Sequence, residues 1–357
     1  MLNKLLFTLL LVTILTLSIQ AKEPFTLLPE SEMQRLFTQF SRQHVKLYGT
    51  SEIHERRYQI FKANVEKARF ENYITGRENL GITRFSDLTP EEFKSMFLMK
   101  TKTPREAREI LIGKKQPSPA TAKVTIKQLQ EAPKAFDWRE HQAVTPVKDQ
   151  GSCGSCWTFS TTGNIEGMYA AKTGKLVSLS EQQLVDCDHN CVVWEGEKTC
   201  NSGCNGGLMW SSFEFIIKTG GLVTEDSYPY EAVNGRCRFN VSNAVVKISN
   251  WTFVSTHEDE MSAWLANNGP IAVAINADYL QYYRKGILNP SRCDPEELNH
   301  GVLIVGYGEE KAANGKIEQY WIVKNSWSTS WGEKGYFRLL KGKGVCGINQ
   351  VPSTALI

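Results

Sequence analysis

The hydrophobic period of this chain changes partway along its length, and that change fixes the class of fold open to it. From Cys156 to Ala171 the residues read as a helix ended by Thr173-Gly174. A second helix begins at Ser180, with Ser180 as N-cap and Gln183 completing a capping box. A third runs from Ser211 to Lys218 and stops at Gly220-Gly221. Later come runs rich in β-branched and aromatic residues: Pro270–Ile275, Val302–Tyr307, Tyr320–Lys324 and Tyr336–Leu340. A helical half followed by a β half predicts an α+β domain of two lobes, with a substrate groove between them.

The region ahead of that domain is helical as well. Met33, Leu36, Phe37 and Phe40 form one helical stripe, and Tyr58, Phe61, Val65 and Ala68 form another. Thr89-Pro90-Glu91-Glu92 is a capping box with proline at the first helical position, opening a short helix through Phe97. Residues 100–131 are rich in Lys, Thr, Pro and Ala and read as an exposed, cleavable linker. At the start, Met1-Leu-Asn-Lys4 precedes an apolar run from Leu5 to Ile19 and a small residue at Ala21. Fifteen residues are short against the roughly 20 a membrane helix needs, so residues 1–21 read as a secretory signal peptide.

Composition is that of a globular protein, 41% hydrophobic and 22% charged, and the net charge of +3 argues for neither nucleic acid nor a membrane surface. Residues 132–357 carry 20 Lys and Arg against 24 Asp and Glu, whereas residues 1–131 carry 21 against 14. The two parts are opposite in sign, as for a front part that packs on the rear part and later leaves it. All nine cysteines lie between Cys153 and Cys346. The odd count leaves at least one thiol unpaired, with Cys156 the natural candidate, and eight partners can pair in 105 ways.

Gln150-Gly-Ser-Cys-Gly-Ser-Cys156-Trp157 places that thiol at the mouth of a helix, after a side-chain amide donor. Asn299-His300-Gly301 and Lys324-Asn325-Ser326-Trp327 follow far downstream. Thiol, imidazole and amide are the parts of a cysteine nucleophile, its base and the group that orients the base. These motifs resemble those of the papain-family cysteine proteases, made as precursors of the cathepsin L/F type. His300 stands 144 residues after Cys156, within the spacing of about 130–150 residues known for the family. Asn325 stands 169 residues after it, and the polar insertion Glu309–Gln319 would absorb the excess.

The resemblance implies a papain-like two-lobed fold, with a helical lobe and a β-barrel-like lobe, preceded by a small helical pro-domain. Residues 22–131 would be an inhibitory pro-region and 132–357 the peptidase, beginning near Ala132-Pro133. The pro-region motif is matched at Arg57, Phe61, Asn64, Ala68 and Asn72, with Ile53 where a glutamate is usual, and again at Gly81, Phe85 and Asp87, with Thr83 where an asparagine is usual. Ala68 leans toward the F subtype and Asn72 toward the L subtype. Disulfides Cys153–Cys204, Cys187–Cys237 and Cys293–Cys346 are implied, leaving Cys191 and Cys200 for a fourth.

In this reading Cys156 is the nucleophile and rests as a thiolate beside an imidazolium at His300, favoured by the helix N-terminus. His300 acts as base and then acid, and Asn325 holds its ring. Trp327 shields that bond from water, with Ser328 where the family has glycine. Gln150 joins the backbone N–H of Cys156 as an oxyanion donor. Leu208, Met209, Ala274, Leu298 and Val351 would line the pocket for the residue two before the scissile bond. Lacking a carboxylate, that pocket would take aliphatic or aromatic side chains. Gly206 and Gly207 would let the substrate backbone pair along the cleft edge. No histidine-rich insertion blocks the groove after Gly207, which favours an endopeptidase.

Other readings fit these residues less well. Cys153 and Cys156 suggest a thiol–disulfide oxidoreductase, but no βαβ unit flanks them. A catalytically dead inhibitor or storage homologue would not need the whole set Gln150, Cys156, His300 and Asn325. His189 with Cys191, Cys200 and Cys204 could suggest zinc, but in an oxidising compartment a stapled surface loop fits better. No metal or other cofactor is expected. The expected partners are protein and peptide substrates and the chain's own pro-region, with a monomeric mature form free of membrane and nucleic acid. Secretion or delivery to a lysosome or vacuole follows, with glycosylation sequons at Asn240 and Asn250. Acid would release the pro-region from the cleft by weakening carboxylate contacts, of which Asp87 is a candidate.

Overall fold

A computed structural model describes residues 23–99, 121–194, 197–312 and 315–357. The leader at 1–21 and most of the 100–131 linker lie outside the described residues. The front segment forms helices α1 (Glu30–Gln43), α2 (Ser51–Thr75) and α3 (Pro90–Phe97). The two apolar stripes meet: Met33, Phe37, Phe40, Tyr58, Phe61 and Val65 bury against one another as a small aromatic core. Thr89 caps α3 reciprocally with Glu92. The motif residues of α2 fasten the chain that follows it. Asn64 Nδ2 donates to the carbonyls of Ser86 and Leu88 at 2.9 and 2.7 Å, and Asn72 Nδ2 to that of Leu80 at 2.9 Å. Arg57 reaches both Glu92 and the Asp87 carbonyl.

One departure from expectation lies inside the linker. Thr125 and Gln128 form a capping box that starts helix α4 (Ile126–Glu131), and Ala122 N–H donates to the Phe253 carbonyl at 2.8 Å. The end of the linker therefore docks on the rear domain.

That domain continues with β1 (Phe136–Asp137), α5 (Cys156–Thr173), α6 (Glu181–Cys187), β2 (Cys191–Trp194), β3 (Glu197–Cys200) and α7 (Met209–Thr219). Then follow β4 (Asn250–Phe253), α8 (Glu258–Asn268), β5 (Ile271–Ile275), β6 (Ile287–Leu288), β7 (His300–Lys311), β8 (Ile317–Lys324), β9 (Tyr336–Leu340) and β10 (Ser353–Leu356). The main sheet has the order β4-β10-β5-β7-β8-β9-β6, with β1 added to β7. The fold is α+β with a helical lobe and a sheet lobe. The sheet path stays open, with no pairing between β4 and β6 among the described residues, so the barrel-like lobe is not a closed barrel.

A further correction concerns a side chain. Ser180 caps α6, but Gln183 does not close the box. Its amide instead bridges the Gly221 carbonyl and the Val223 N–H, tying α6 to the segment after α7. The polar insertion Glu309–Gln319 takes the form of added strand rather than irregular chain. It extends β7 and β8 as a hairpin, pairing Glu309 with Gln319 and Lys311 with Ile317. Its polar residues fit a two-stranded arm near the surface, where Glu318 pairs with Arg77 and Glu310 with Arg338.

Four disulfides join Cys153–Cys204, Cys187–Cys237, Cys191–Cys200 and Cys293–Cys346, and among the described residues Cys156 is the free cysteine. No described helix is long and apolar enough to cross a membrane, and no described group of three or more His, Cys, Asp or Glu could hold a metal ion. The zinc set His189, Cys191, Cys200 and Cys204 is thus divided between two disulfides.

Candidate active site

Where the helical lobe meets the sheet, the first residue of α5 faces the first residues of β7. Cys156 and His300 are both fully buried. Glycine at 301 makes the approach possible: a Cβ there would lie 3.1 Å from the Trp157 Cα and 3.2 Å from the Cys156 carbonyl oxygen. The Gly301 N–H donates to the Cys156 sulfur at 3.3 Å.

Asn325, just past the end of β8, sets the tautomer of the ring. Its Oδ1 accepts the Ser326 N–H at 2.8 Å and lies 2.8 Å from His300 Nε2. An oxygen at that position requires Nε2 to carry the hydrogen, so Nδ1 holds the lone pair. That Nδ1 is buried and has no hydrogen-bond partner. The imidazole is therefore held by one nitrogen and free to take a proton at the other. Trp327 stacks on it with ring centroids 4.7 Å apart and planes inclined by 26°.

Gln150 is locked from its oxygen side. Ser326 Oγ donates to its Oε1 at 2.6 Å and Trp327 Nε1 at 3.1 Å. Its Nε2 is thereby turned toward the loop that leads to Cys156 and donates to the Cys153 carbonyl at 2.9 Å. Sequence reasoning did not single out Ser326, whose role depends on a contact across 176 residues. Tyr230 was missed for the same reason. Its hydroxyl meets both Ser155 Oγ, at 2.5 Å, and the Gln150 carbonyl, at 2.9 Å. Ser328 adopts the left-handed φ of +66° that glycine takes without strain, so the loop keeps its turn despite the serine.

The front segment fills this site. The Phe97 carbonyl accepts from Gln150 Nε2 at 3.0 Å. A Cβ on Gly154 would sit 3.0 Å from the Leu98 carbonyl, so a larger residue there would meet the passing chain. The Met99 N–H donates to the Asn299 carbonyl at 2.8 Å. Met99 is buried in one apolar cluster with Cys156, Leu208, Met209, Ala274, Leu298 and Val351. Phe85 and Phe93 stand edge-on to Trp327 at 5.3 and 5.5 Å.

Further contacts seat the segment on residues 278–291. The Gly81 N–H donates to the Tyr282 carbonyl, and Thr83 Oγ1 to that of Gln281. Gln281 Nε2 donates to the carbonyls of Phe85 and Leu88. Glu71 accepts from the backbone and hydroxyl of Ser291. Ion pairs Arg77–Glu318, Arg84–Asp149 and Lys94–Asp278 surround this seat. The carboxylate contacts of Asp87 lie within the front segment, with Lys46 at 2.8 Å and Tyr48 at 3.1 Å.

Burial bears on the protonation of the pair. Loss of solvent pushes the Cys156 thiol up to about 12, outweighing the N–H groups that favour the anion. The same loss pushes His300 down to about 4 against the opposing pull of Asn325. Under the front segment, burial thus disfavours both charged forms, thiolate and imidazolium.

The model of the papain family cysteine proteases matches residues 132–356. The chain belongs to the papain family of cysteine proteases. The front segment matches the cathepsin propeptide inhibitor domain over residues 37–93. Cysteine proteinase 15A of Pisum sativum is 47% identical over 321 residues, covering 89% of this chain and 85% of that protein. Cathepsin F of Mus musculus is 40% identical over 329 residues, covering 91% of this chain and 65% of that protein. Among solved structures, procathepsin L2 of Tenebrio molitor superposes with a TM-score of 0.77 at 32% identity, covering 91% of this chain and all of that one. The recombinant stem bromelain precursor gives 0.76 at 32% identity, covering 91% and 99%. This family member is thus a cysteine protease carrying an inhibitory propeptide.

Proposed function

We propose that the chain is the latent precursor of an endopeptidase in which Cys156 attacks the scissile carbonyl and His300 Nδ1 takes the thiol proton. His300 then returns a proton to the leaving amine, while Asn325 keeps the ring in register. Gln150 Nε2 and the Cys156 N–H stabilise the oxyanion, a contribution of roughly 2.7–4 kcal/mol per donor. The observation that carries this reading is the lone-pair nitrogen of His300, buried, unpartnered and fixed by Asn325.

Latency has a directional cause. In a substrate, the residue in the pocket two before the scissile bond precedes the residue whose carbonyl meets the oxyanion donors. Here the carbonyl at Gln150 belongs to Phe97, and the side chain among the pocket residues is that of Met99, two positions later. The segment runs through the cleft opposite to a substrate, so it occupies the donors without offering a bond to cleave. Its removal near residue 131 would return water to Cys156 and His300 and allow the thiolate–imidazolium pair.

The same burial supplies an acid trigger. A ring whose pKa is lowered in the closed form favours closure above its ordinary value of 6.5. That preference is lost as pH falls toward about 4, because protonation then competes with burial.

Iodoacetamide tests both points. In the processed chain it should modify Cys156, and hydrolysis should fall in proportion; hydrolysis that survives full modification defeats the reading. At neutral pH the unprocessed chain should react slowly, with the rate climbing toward pH 12 in the closed form, whereas processing should move the inflection several pH units lower. An unmoved inflection would remove the burial argument.

Leu208, Met209, Ala274, Leu298 and Val351 supply no charge to the pocket Met99 fills. Peptides with Leu or Phe two residues before the scissile bond should be cleaved with at least about tenfold higher kcat/KM than those with Arg, since an unpaired buried charge costs more than 1.4 kcal/mol. Preference for Arg would refute the pocket assignment. Four disulfides support passage through the secretory pathway to a lysosome, vacuole or the exterior. Asn240 and Asn250 are exposed, as glycan acceptors must be.

A further inference from the structure

The disulfide-closed hairpin of β2 and β3 has no part in the chemistry above, yet its base is wired to the cleft. Cys191 and Cys200 lie opposite one another in its register, and the Asn201 N–H donates to the Asn190 carbonyl at 2.9 Å, closing the hairpin one residue further on. Asn190 is anchored in turn, donating from its backbone to Asp188 Oδ1 at 3.0 Å and from its amide to Ser211.

Asn201 leaves the hairpin with a buried side chain, exposed by only 2%. Its Nδ2 donates to Asp188 Oδ2 at 2.8 Å and to Ser212 Oγ at 3.2 Å. Its Oδ1 accepts the Leu208 N–H at 2.9 Å. Across the same turn the Ser202 N–H donates to the Gly206 carbonyl at 2.9 Å. A Cβ on Gly207 would lie 2.6 Å from the Trp157 ring and 2.8 Å from Asn201 Oδ1, so residue 207 is wedged between them. The carboxylate of Asp188 is acceptor-only when ionised, which obliges the Asn201 amide to present nitrogen to it and oxygen to Leu208.

We propose that the Cys191–Cys200 hairpin is a clamp on substrate binding, in which Asp188 orients Asn201 and Asn201 fixes the Gly206–Leu208 segment against which the substrate backbone pairs. Asp188 and Asn201 are positioning residues; neither touches the reacting atoms. The clamp rests on reading Gly206–Leu208 as the substrate edge.

Asp188→Asn is the sharpest probe, because it changes no volume. An amide at 188 already accepts the Asn190 N–H through its oxygen, so it would turn NH2 toward Asn201. Asn201 would then rotate and present its own NH2 to the Leu208 N–H, leaving two donors face to face. In full-length chains processed to the mature enzyme, Asp188→Asn and Asn201→Ala should each raise KM for a peptide that spans the cleft by roughly five- to tenfold, the size of one broken buried hydrogen bond. kcat should stay within about twofold, and iodoacetamide should modify Cys156 at the wild-type rate, since that small reagent uses no strand edge. Cys191→Ser with Cys200→Ser opens the hairpin without touching Asp188 or Asn201 and should raise KM in the same direction. It also decides the matter should either polar variant fail to fold. Unchanged KM in an active variant, or equal losses in kcat and modification rate, would overturn the clamp. Neither result would bear on the nucleophile, whose assignment falls only if Cys156 proves dispensable.

Discussion

Replacing Cys156 with alanine is expected to lower peptide hydrolysis by roughly 10⁵- to 10⁶-fold, the loss seen when a catalytic unit is deprived of its nucleophile. The sulfur stands at the N-terminus of α5, receives the Gly301 N–H, and is the unbridged cysteine among the described residues. No other described group is placed to substitute for it. Alanine fits the volume, so the fold should persist and the unprocessed variant should accumulate. Cleaving it in trans with wild-type enzyme gives a mature variant whose kcat can be compared directly. Residual hydrolysis above about one hundredth of wild type, a deficit under roughly 3 kcal/mol, would mean that the chemistry runs through another group.

Phe85→Ala should have the next largest effect, and on latency rather than on turnover. Phe85 is 1% exposed and meets Phe97 at 4.7 Å, Phe93 at 5.1 Å and Trp327 at 5.3 Å. It thus joins the helix that delivers Phe97 to Gln150 with the tryptophan that covers His300. Truncating a buried phenylalanine costs about 3–5 kcal/mol, which would open the cleft roughly 10²- to 10³-fold more often. The measurement is the rate at which iodoacetamide modifies Cys156 in the unprocessed chain at neutral pH. The processed enzyme, which lacks Phe85, should keep its kcat. A modification rate equal to wild type would show that the aromatic contact does not hold the segment in place.

Local chemistry made part of this molecule legible in its sequence. The stripes through Phe37 and Phe61, the capping box at Thr89 and the strand Tyr336–Leu340 depend on neighbours a few residues away, and all appear where their pattern places them. Gln150, Cys156, His300 and Asn325 could be named from motifs; the fold joins Asn325 to His300 and turns Gln150 toward the Cys153 carbonyl. What could not be read depends on pairing across long separations. Gln183 satisfies the capping pattern yet spends its amide on Gly221 and Val223, which only the packed lobe brings near. Glu309–Gln319 lacks an apolar alternation because its hairpin is held by ion pairs such as Arg77–Glu318 and Arg338–Glu310 rather than by an apolar core. Asp87 pairs with Lys46 across 41 residues, a partner that no local pattern names. Nothing in Phe97-Leu98-Met99 signals that its backbone lies along an active site, since backbone groups leave no trace in composition.

The Phe97 carbonyl rests on the same amide hydrogen that would receive a reacting oxygen. Restraint and turnover therefore draw on one donor, and a mutation at Gln150 that loosened the first would also cripple the second. Selection for a leakier or tighter zymogen must then act at a distance, on Arg77–Glu318, Lys94–Asp278 and the Tyr282 seat. Those peripheral positions should diverge among relatives that differ in how readily they mature, while the core of the cleft stays fixed.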